Sequence, residues 1–148
     1  MEIAALSSYA LIAYGKGRSY MASFNYLIMG TMGACLYLLG VGFVFVKTGT
    51  LNIENLSQII PQTLQNSLAV FVGFVLIMIG AWAKMAFFPL HGWLPNAYSY
   101  APTASGALLA PLATKVFVYA MLRIIITVYS IDYVLKSPSI QTTVLLLS

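Results

Sequence analysis

The longest uncharged run decides what this chain can become. From Met21 to Val46 there is no Asp, Glu, Lys, Arg or His. About 20 mostly apolar residues are enough for a helix to cross a bilayer, and this run exceeds that length. Two further runs meet the same criterion: Ser67 to Phe88, interrupted only by Lys84, and Ala104 to Ile126, interrupted only by Lys115 and Arg123. Hydrocarbon offers no water to bond exposed N–H and C=O groups, so segments of this kind span as helices. The expected fold class is all-α, a polytopic transmembrane helix bundle.

Composition removes the alternatives. Hydrophobic residues make up 61% of the 148 positions and charged residues 7%, whereas a soluble domain runs near a quarter charged. Charges this sparse cannot solvate a water-soluble globule, so a soluble enzyme and a disordered tail are both excluded. The net charge of +4 comes from seven Lys+Arg against three Asp+Glu. These are scattered, while nucleic-acid binding needs a concentrated basic face, so no nucleic-acid partner is expected. Cys35 and His91 are the sole cysteine and histidine. One cysteine cannot form an internal disulfide or hold an iron–sulfur cluster, and one histidine cannot supply two-histidine haem ligation. No Rossmann or Walker glycine pattern occurs. The chain is therefore expected to carry no cofactor. Redox or nucleotide chemistry would sit on partner subunits, with the lipid bilayer as the immediate surroundings.

The ends differ from the middle. Ile3 to Tyr14 is apolar but short, without the charged leader of a signal peptide, and Ile140 to Leu147 begins another apolar stretch. The expected spans are about 3–14 (partial), 21–46, 67–98 broken near Pro89, 104–131, and the start of another at 140–148. Both ends read as interrupted spans, as in a piece from the middle of a longer protein. Lys16 and Arg18 form a basic turn that favours the cytoplasmic side. Lys47 to Asn66 is the longest polar connection. In it Ile53, Leu56, Ile59 and Ile60 recur at helical spacing, which predicts a short amphipathic helix.

Ionisable side chains inside spans are costly, and most are functional. Lys115 lies near the centre of its span, four residues after Pro111. Placing it there costs roughly 2.5–3.5 kcal/mol on insertion scales. Pro111 removes a backbone donor and frees a carbonyl. A desolvated lysine that alternates between charged and neutral forms is what a proton relay requires. Lys84 allows two readings. The span ends at Phe88 and Lys84 snorkels to the interface, or the run to Tyr98 is one helix broken near Pro89 with Lys84 near its middle. His91, beside that proline, is either a titrating group near neutral pH or a donor to a freed carbonyl. Glu2 is either a capping residue or a fragment end, and Ser7 and Ser8 after it suggest a bundle-facing side. Arg123 and Asp132 read as snorkelling or paired residues. Trp93, Tyr98 and Tyr100 fit an interfacial aromatic belt, and Asn96 reads as a cap or a backbone-binding side chain. Gly30, Gly33, Ala34, Gly40 and Gly42 read as a helix-packing stripe.

One stretch is specific. Lys84-Met-Ala-Phe-Phe-Pro-Leu-His91-Gly-Trp-Leu-Pro-Asn96-Ala-Tyr-Ser-Tyr-Ala-Pro102-Thr-Ala-Ser is followed by Leu109-Ala-Pro-Leu-Ala-Thr-Lys115 and Tyr119-Ala-Met-Leu-Arg123. It resembles the antiporter-like membrane subunits of complex I (NADH:quinone oxidoreductase), the large subunits of Mrp-type cation/proton antiporters, and the matching subunits of membrane-bound hydrogenases. Glu2 with Leu6-Ser7-Ser8-Tyr9-Ala10-Leu11, Phe24-Asn25-Tyr26-Leu27 and Thr48-Gly49-Thr50-Leu51 extend the resemblance over nearly the whole chain.

The resemblance implies a fragment of an antiporter-like fold of about fourteen helices in inverted five-helix repeats, running from the fifth helix to about the ninth. It implies a discontinuous seventh helix, which selects the broken-helix reading of Lys84. It also implies that Glu2 and Lys84 form a modulating ion pair to which protonation of Lys115 responds. The relay set is then Glu2, Lys84, Lys115 and His91, working with ordered water as an input half-channel. The implied function is proton translocation, with or without Na⁺ antiport, beside other membrane subunits of a complex in a prokaryotic inner membrane. The family's Asp-Ala-His is Asn96-Ala97-Tyr98 here, which inclines the reading toward the Mrp antiporter branch, in its D-type member. Three rivals stand beside it: a proton-pumping subunit of NADH:quinone oxidoreductase or hydrogenase, a structural subunit without transport of its own, and a simple channel.

Overall fold

Where the sequence is apolar and nearly free of charge, the backbone forms long helices. A computed structural model of the protein describes residues 2–15, 17–63, 67–129 and 141–142. The elements are α1 (Glu2–Ala13), α2 (Ser19–Thr48), α3 (Ile53–Thr63), α4 (Leu68–Met85), α5 (Trp93–Tyr100) and α6 (Thr103–Arg123), which runs on into a π-helical turn at Ile124–Tyr129. All regular structure among the described residues is helical. Among the described residues, three helices are long and apolar enough to cross a membrane: Ser19–Thr48, Leu68–Met85 and Thr103–Tyr129, of 30, 18 and 27 residues. At 1.5 Å per residue the 18-residue helix is about 27 Å long, close to the hydrocarbon thickness. Asp132, Lys16 and most of the stretch at 140–148 lie outside the described residues.

Polar residues set the helix ends. Gly49 follows α2 with a φ of 69°, a left-handed turn that glycine adopts without a Cβ penalty, and its N–H donates to the Phe45 carbonyl. Asn52 caps α3: its Oδ1 accepts the Glu54 N–H at 3.1 Å, satisfying an orphan donor of the first turn. At the start of α2 the Ser19 hydroxyl donates to the carbonyls of Ala13 and Gly15. One turn later Ser23 donates to the Tyr9 carbonyl at 2.7 Å, tying α2 to α1.

The described chain divides into two compact units. The first combines Met1–Cys35 with Gly80–Val118. Its core is Tyr9, Ile12, Ala22, Tyr26, Trp93, Ala97 and Leu109. The second combines Leu36–Ile79 with the chain from Tyr119. There Leu56 and Ile60, one turn apart on α3, bury against Val44, Val70, Phe74 and the π-helical turn. Phe74 meets Tyr129 edge-on, with ring centroids 4.7 Å apart. The expected amphipathic helix is thus present, and its apolar face is the part that packs.

Small residues allow close approach within each unit. In the first, a methyl group on Gly33 would stand 3.1 Å from the Gly80 carbonyl oxygen and 3.0 Å from Ala83 Cβ. In the second, a methyl on Gly40 would stand 2.7 Å from the Gly73 carbonyl oxygen and 2.8 Å from the Ile77 nitrogen. Gly42 instead faces open space, so the packing stripe read from the sequence is narrower than expected. At Gly40 the nearest obstacle, the Gly73 carbonyl, and the Ile77 nitrogen are backbone atoms, which cannot rotate away. Gly40→Ala should therefore destabilise by about 1–3 kcal/mol, as overpacking does, while Gly42→Ala should be neutral to stabilising, by up to about 1 kcal/mol through helix propensity. The melting temperature of the detergent-solubilised full-length protein checks both, and equal shifts would contradict this seam.

Candidate functional site

Helix α4 stops at Met85 for reasons written into the following residues. Pro89 has no N–H and disfavours helical geometry at the residue before it. The chain turns at Ala86, whose φ is 54°, a left-handed conformation that costs an L-residue roughly 1–2 kcal/mol. Two bonds compensate: the Phe87 N–H donates to the Trp82 carbonyl at 3.0 Å, and the Ala86 N–H to the Ala83 carbonyl at 3.4 Å. Together they make a Schellman motif with alanine in the usual place of glycine. The Trp82 and Phe87 rings, 5.5 Å apart, supply its apolar contact. The chain then turns through Leu90 and His91 and resumes as α5 at Trp93. The broken helix near Pro89 is thus a built structure with its own hydrogen bonds.

Lys84 occupies the last turn of α4. It is half-buried. Its Nζ lies 5.6 Å from the centroid of the Phe117 ring on α6, within the range of a cation–π contact. Its stem passes Gly33, whose added methyl would lie 3.5 Å from Lys84 Cγ. The C-terminal end of a helix carries partial negative charge, so it suits a cation. The ion pair expected between Glu2 and Lys84 falls on the Glu2 side chain, which lies outside the described part; its backbone opens α1.

Lys115 and His91 lie elsewhere on the surface of these elements. Lys115 is exposed on α6. It stands two residues before Phe117, which puts it about 200° around the helix from the face that meets Lys84. Pro111 lies inside the continuous helix α6 one turn earlier, and Thr114 donates to the Ala110 carbonyl. His91 is exposed in the turn between α4 and α5. Its ring stacks on Phe88 at 5.8 Å, and its carbonyl accepts the Leu94 N–H. Arg123 reaches the Tyr119 hydroxyl at 3.5 Å.

Two residues of this site, one facing Lys84 and one bonding the break, carry no sign of their roles in the sequence. Phe117 is one of eight phenylalanines, and nothing in its local pattern distinguishes it. Trp93, expected at an interface, is 5% exposed. Its indole N–H donates to the Ala83 carbonyl at 3.1 Å, and its ring stacks on Tyr26. A broken helix leaves carbonyls in need of donors, and that need draws Trp93 inward. Of the other belt candidates, Tyr100 is exposed and Tyr98 half-buried. The Tyr98 hydroxyl is shielded, with no hydrogen-bond partner among the described residues. Asn96 lies inside α5; Gly92 stands at its cap.

Comparisons with known proteins agree in kind. The family described as "NADH:quinone oxidoreductase/Mrp antiporter, TM" matches residues 1–148. The N subunit of the NADH-quinone oxidoreductase of Desulforudis audaxviator is 50% identical over 125 residues, covering 84% of this chain and 25% of the relative. The D subunit of the Na(+)/H(+) antiporter of Bacillus subtilis is 34% identical over 132 residues, covering 88% of this chain and 27% of the relative. Among solved structures, a chain of the membrane-bound sulfane sulfur reductase, an archaeal respiratory membrane complex, superposes with a TM-score of 0.85 at 31% identity. That match covers 99% of this chain and 29% of the other. The chain spans about a quarter of the length of the curated relatives it matches.

Proposed function

The chain belongs to the NADH:quinone oxidoreductase/Mrp antiporter membrane family, and on that premise we propose that it forms the input half of a proton path in a multi-subunit complex of a prokaryotic inner membrane. Lys84 and Lys115 are the groups that take up and pass the proton, Glu2 modulates Lys84, and His91 stands at the solvent end of the break. The observation that carries this reading is the placement of Lys84: a cation in the last turn of a helix that ends inside the apolar sequence, beside an organised break. Because α4 is itself about 27 Å long, the reading requires the break to lie below the membrane surface, where non-helical backbone is tolerated if it is enclosed by protein or lines a wet cavity. A lysine next to such a break has a route to water that a lysine in an intact span lacks.

The driving force is proposed to be redox. The 50% identity to a subunit of an NADH-quinone oxidoreductase, against 34% to an antiporter subunit, favours that branch. The second reading, Na⁺-driven antiport in an Mrp-type complex, is favoured by Asn96-Ala97-Tyr98, where the family pattern has Asp-Ala-His. The test uses the full-length protein in its native complex, gently extracted and reconstituted into liposomes with a pH-sensitive dye trapped inside. A pH change that follows electron donor plus quinone supports redox-driven translocation. A pH change that follows a Na⁺ gradient alone supports the antiporter. A proton leak needing neither makes the path a passive channel, and no proton movement under any condition favours a structural subunit.

A further inference from the structure

The Trp93 indole is one ring in a chain of contacts that starts on α1 and ends beside Lys84. Tyr9 lies on α1, seven residues after Glu2 and therefore about two turns along. It meets Tyr26 of α2 edge-on, with centroids 4.7 Å apart and planes at 79°. Tyr26 stacks on Trp93 of α5 at 4.6 Å and 20°. Trp93 donates its N–H to the Ala83 carbonyl at 3.1 Å, and Ala83 immediately precedes Lys84. The same carbonyl accepts the Ala86 N–H only at 3.4 Å, so the indole is its closer donor. All of these residues belong to one compact unit, and Tyr9, Tyr26 and Trp93 are buried in its core.

We propose that Trp93 is a positioning residue for Lys84: its indole N–H fixes the end of α4 at Ala83, and so fixes where the lysine ammonium stands. The proposal rests on the reading of Lys84 as a relay group. Its physical basis is the weakness of the break. Ala86 holds a conformation that alanine disfavours, and the motif enclosing it has one good backbone bond and one long one. The last turn of α4 would fray without a further anchor, and its last residues are Ala83, Lys84 and Met85. The indole supplies that anchor from a ring which is itself held on one face by Tyr26. A shift of the Tyr9 or Tyr26 rings would therefore reach the Lys84 backbone through one hydrogen bond. The helix that bears Glu2 thereby gains a mechanical connection to Lys84 that does not depend on charge.

The test replaces Trp93 in the full-length complex with 3-benzothienylalanine. This residue keeps the shape and stacking surface of tryptophan but has sulfur in place of the N–H. 4-Fluorotryptophan, which keeps the N–H, is the conservative control. Complex assembly, hydrogen exchange of the 84–90 segment and proton transport are measured together. The expected result is normal assembly, at least tenfold faster exchange in that segment and about a tenfold fall in transport with the sulfur isostere, and wild-type values with 4-fluorotryptophan. Unchanged exchange, unchanged transport or lost assembly with the isostere, or an equal effect of the fluorinated control, would overturn the proposal. Lys84→Ala measured alongside separates the two claims. Normal transport in Lys84→Ala sinks the relay reading itself, whereas lost transport there with an unaffected isostere sinks only the role of Trp93.

Discussion

Lys84→Ala in the full-length subunit should abolish proton transport, with a loss of about 100-fold, the lower end of what a positioned acid–base group contributes. The complex should still assemble. The side chain is half-buried, its ammonium faces the Phe117 ring, and its stem lies along Gly33. Alanine leaves the break intact, because the Schellman bonds and the Trp93 bond all use backbone acceptors. What is lost is the only formal charge carried by the helix from Leu68 to Met85. Lys84→Arg separates charge from proton exchange: it keeps a cation near Phe117, but a guanidinium does not deprotonate in a protein. If Lys84 acts by passing a proton, arginine should fail almost as badly as alanine; if it acts only as a fixed charge, arginine should restore most of the transport. Dye quenching in inverted membrane vesicles reads both variants, with the amount of complex on a native gel as the control. Wild-type transport in Lys84→Ala would remove Lys84 from the path. On the proposed roles, in which Glu2 modulates and Lys84 carries the proton, Glu2→Gln should lower transport less than Lys84→Ala does.

What can be read from the sequence follows from how local each cause is. Helices α2, α4 and α6 follow from long apolar runs with few or no charges, because the bilayer demands helix wherever such a run is long enough. Helix α3 follows from the spacing of Leu56 and Ile60, and these are among the residues it buries. The end of α4 near Pro89 follows from proline's missing N–H. Residues that act across the fold are not legible in this way. Trp93 looks like a belt residue because an isolated tryptophan beside prolines gives no sign of a carbonyl ten residues upstream. Phe117 gives no sign of the lysine on another helix. The π-helical turn at Ile124–Tyr129 opens with three isoleucines whose pattern suits an ordinary helix equally well. Lys84, Lys115 and His91 can be picked out because ionisable groups are rare in an apolar chain. Their arrangement cannot: Lys115 lies well round α6 from the face that Phe117 presents to Lys84, and only the helix register reveals that.

Lys115→Ala should abolish transport by a similar factor while leaving the protein at least as stable as the parent. The two effects share one cause. Lysine at mid-span costs roughly 2.5–3.5 kcal/mol relative to a tolerated apolar residue. Helix propensity adds nothing in its favour, since alanine is the better helix former. Lys115 is exposed on α6, with Val116, Val118 and Tyr119 also exposed around it, so no core packing is lost when its side chain is cut back. A residue kept for structure would show the opposite pattern: Lys115→Ala would lower stability or assembly and leave transport per assembled complex unchanged. Pro111 sharpens the contrast. It removes the donor that would bond the Ala107 carbonyl, leaving an acceptor two turns before Lys115 on the same helix. Pro111→Ala should restore that bond, stabilise α6 by up to about 3 kcal/mol, and slow transport if the free carbonyl holds water for the lysine. Melting temperature and vesicle transport measured on the same preparations decide the matter. Stability up and transport down in both variants fits a proton path through Lys115, and any variant in which the two fall together assigns its residue to the fold.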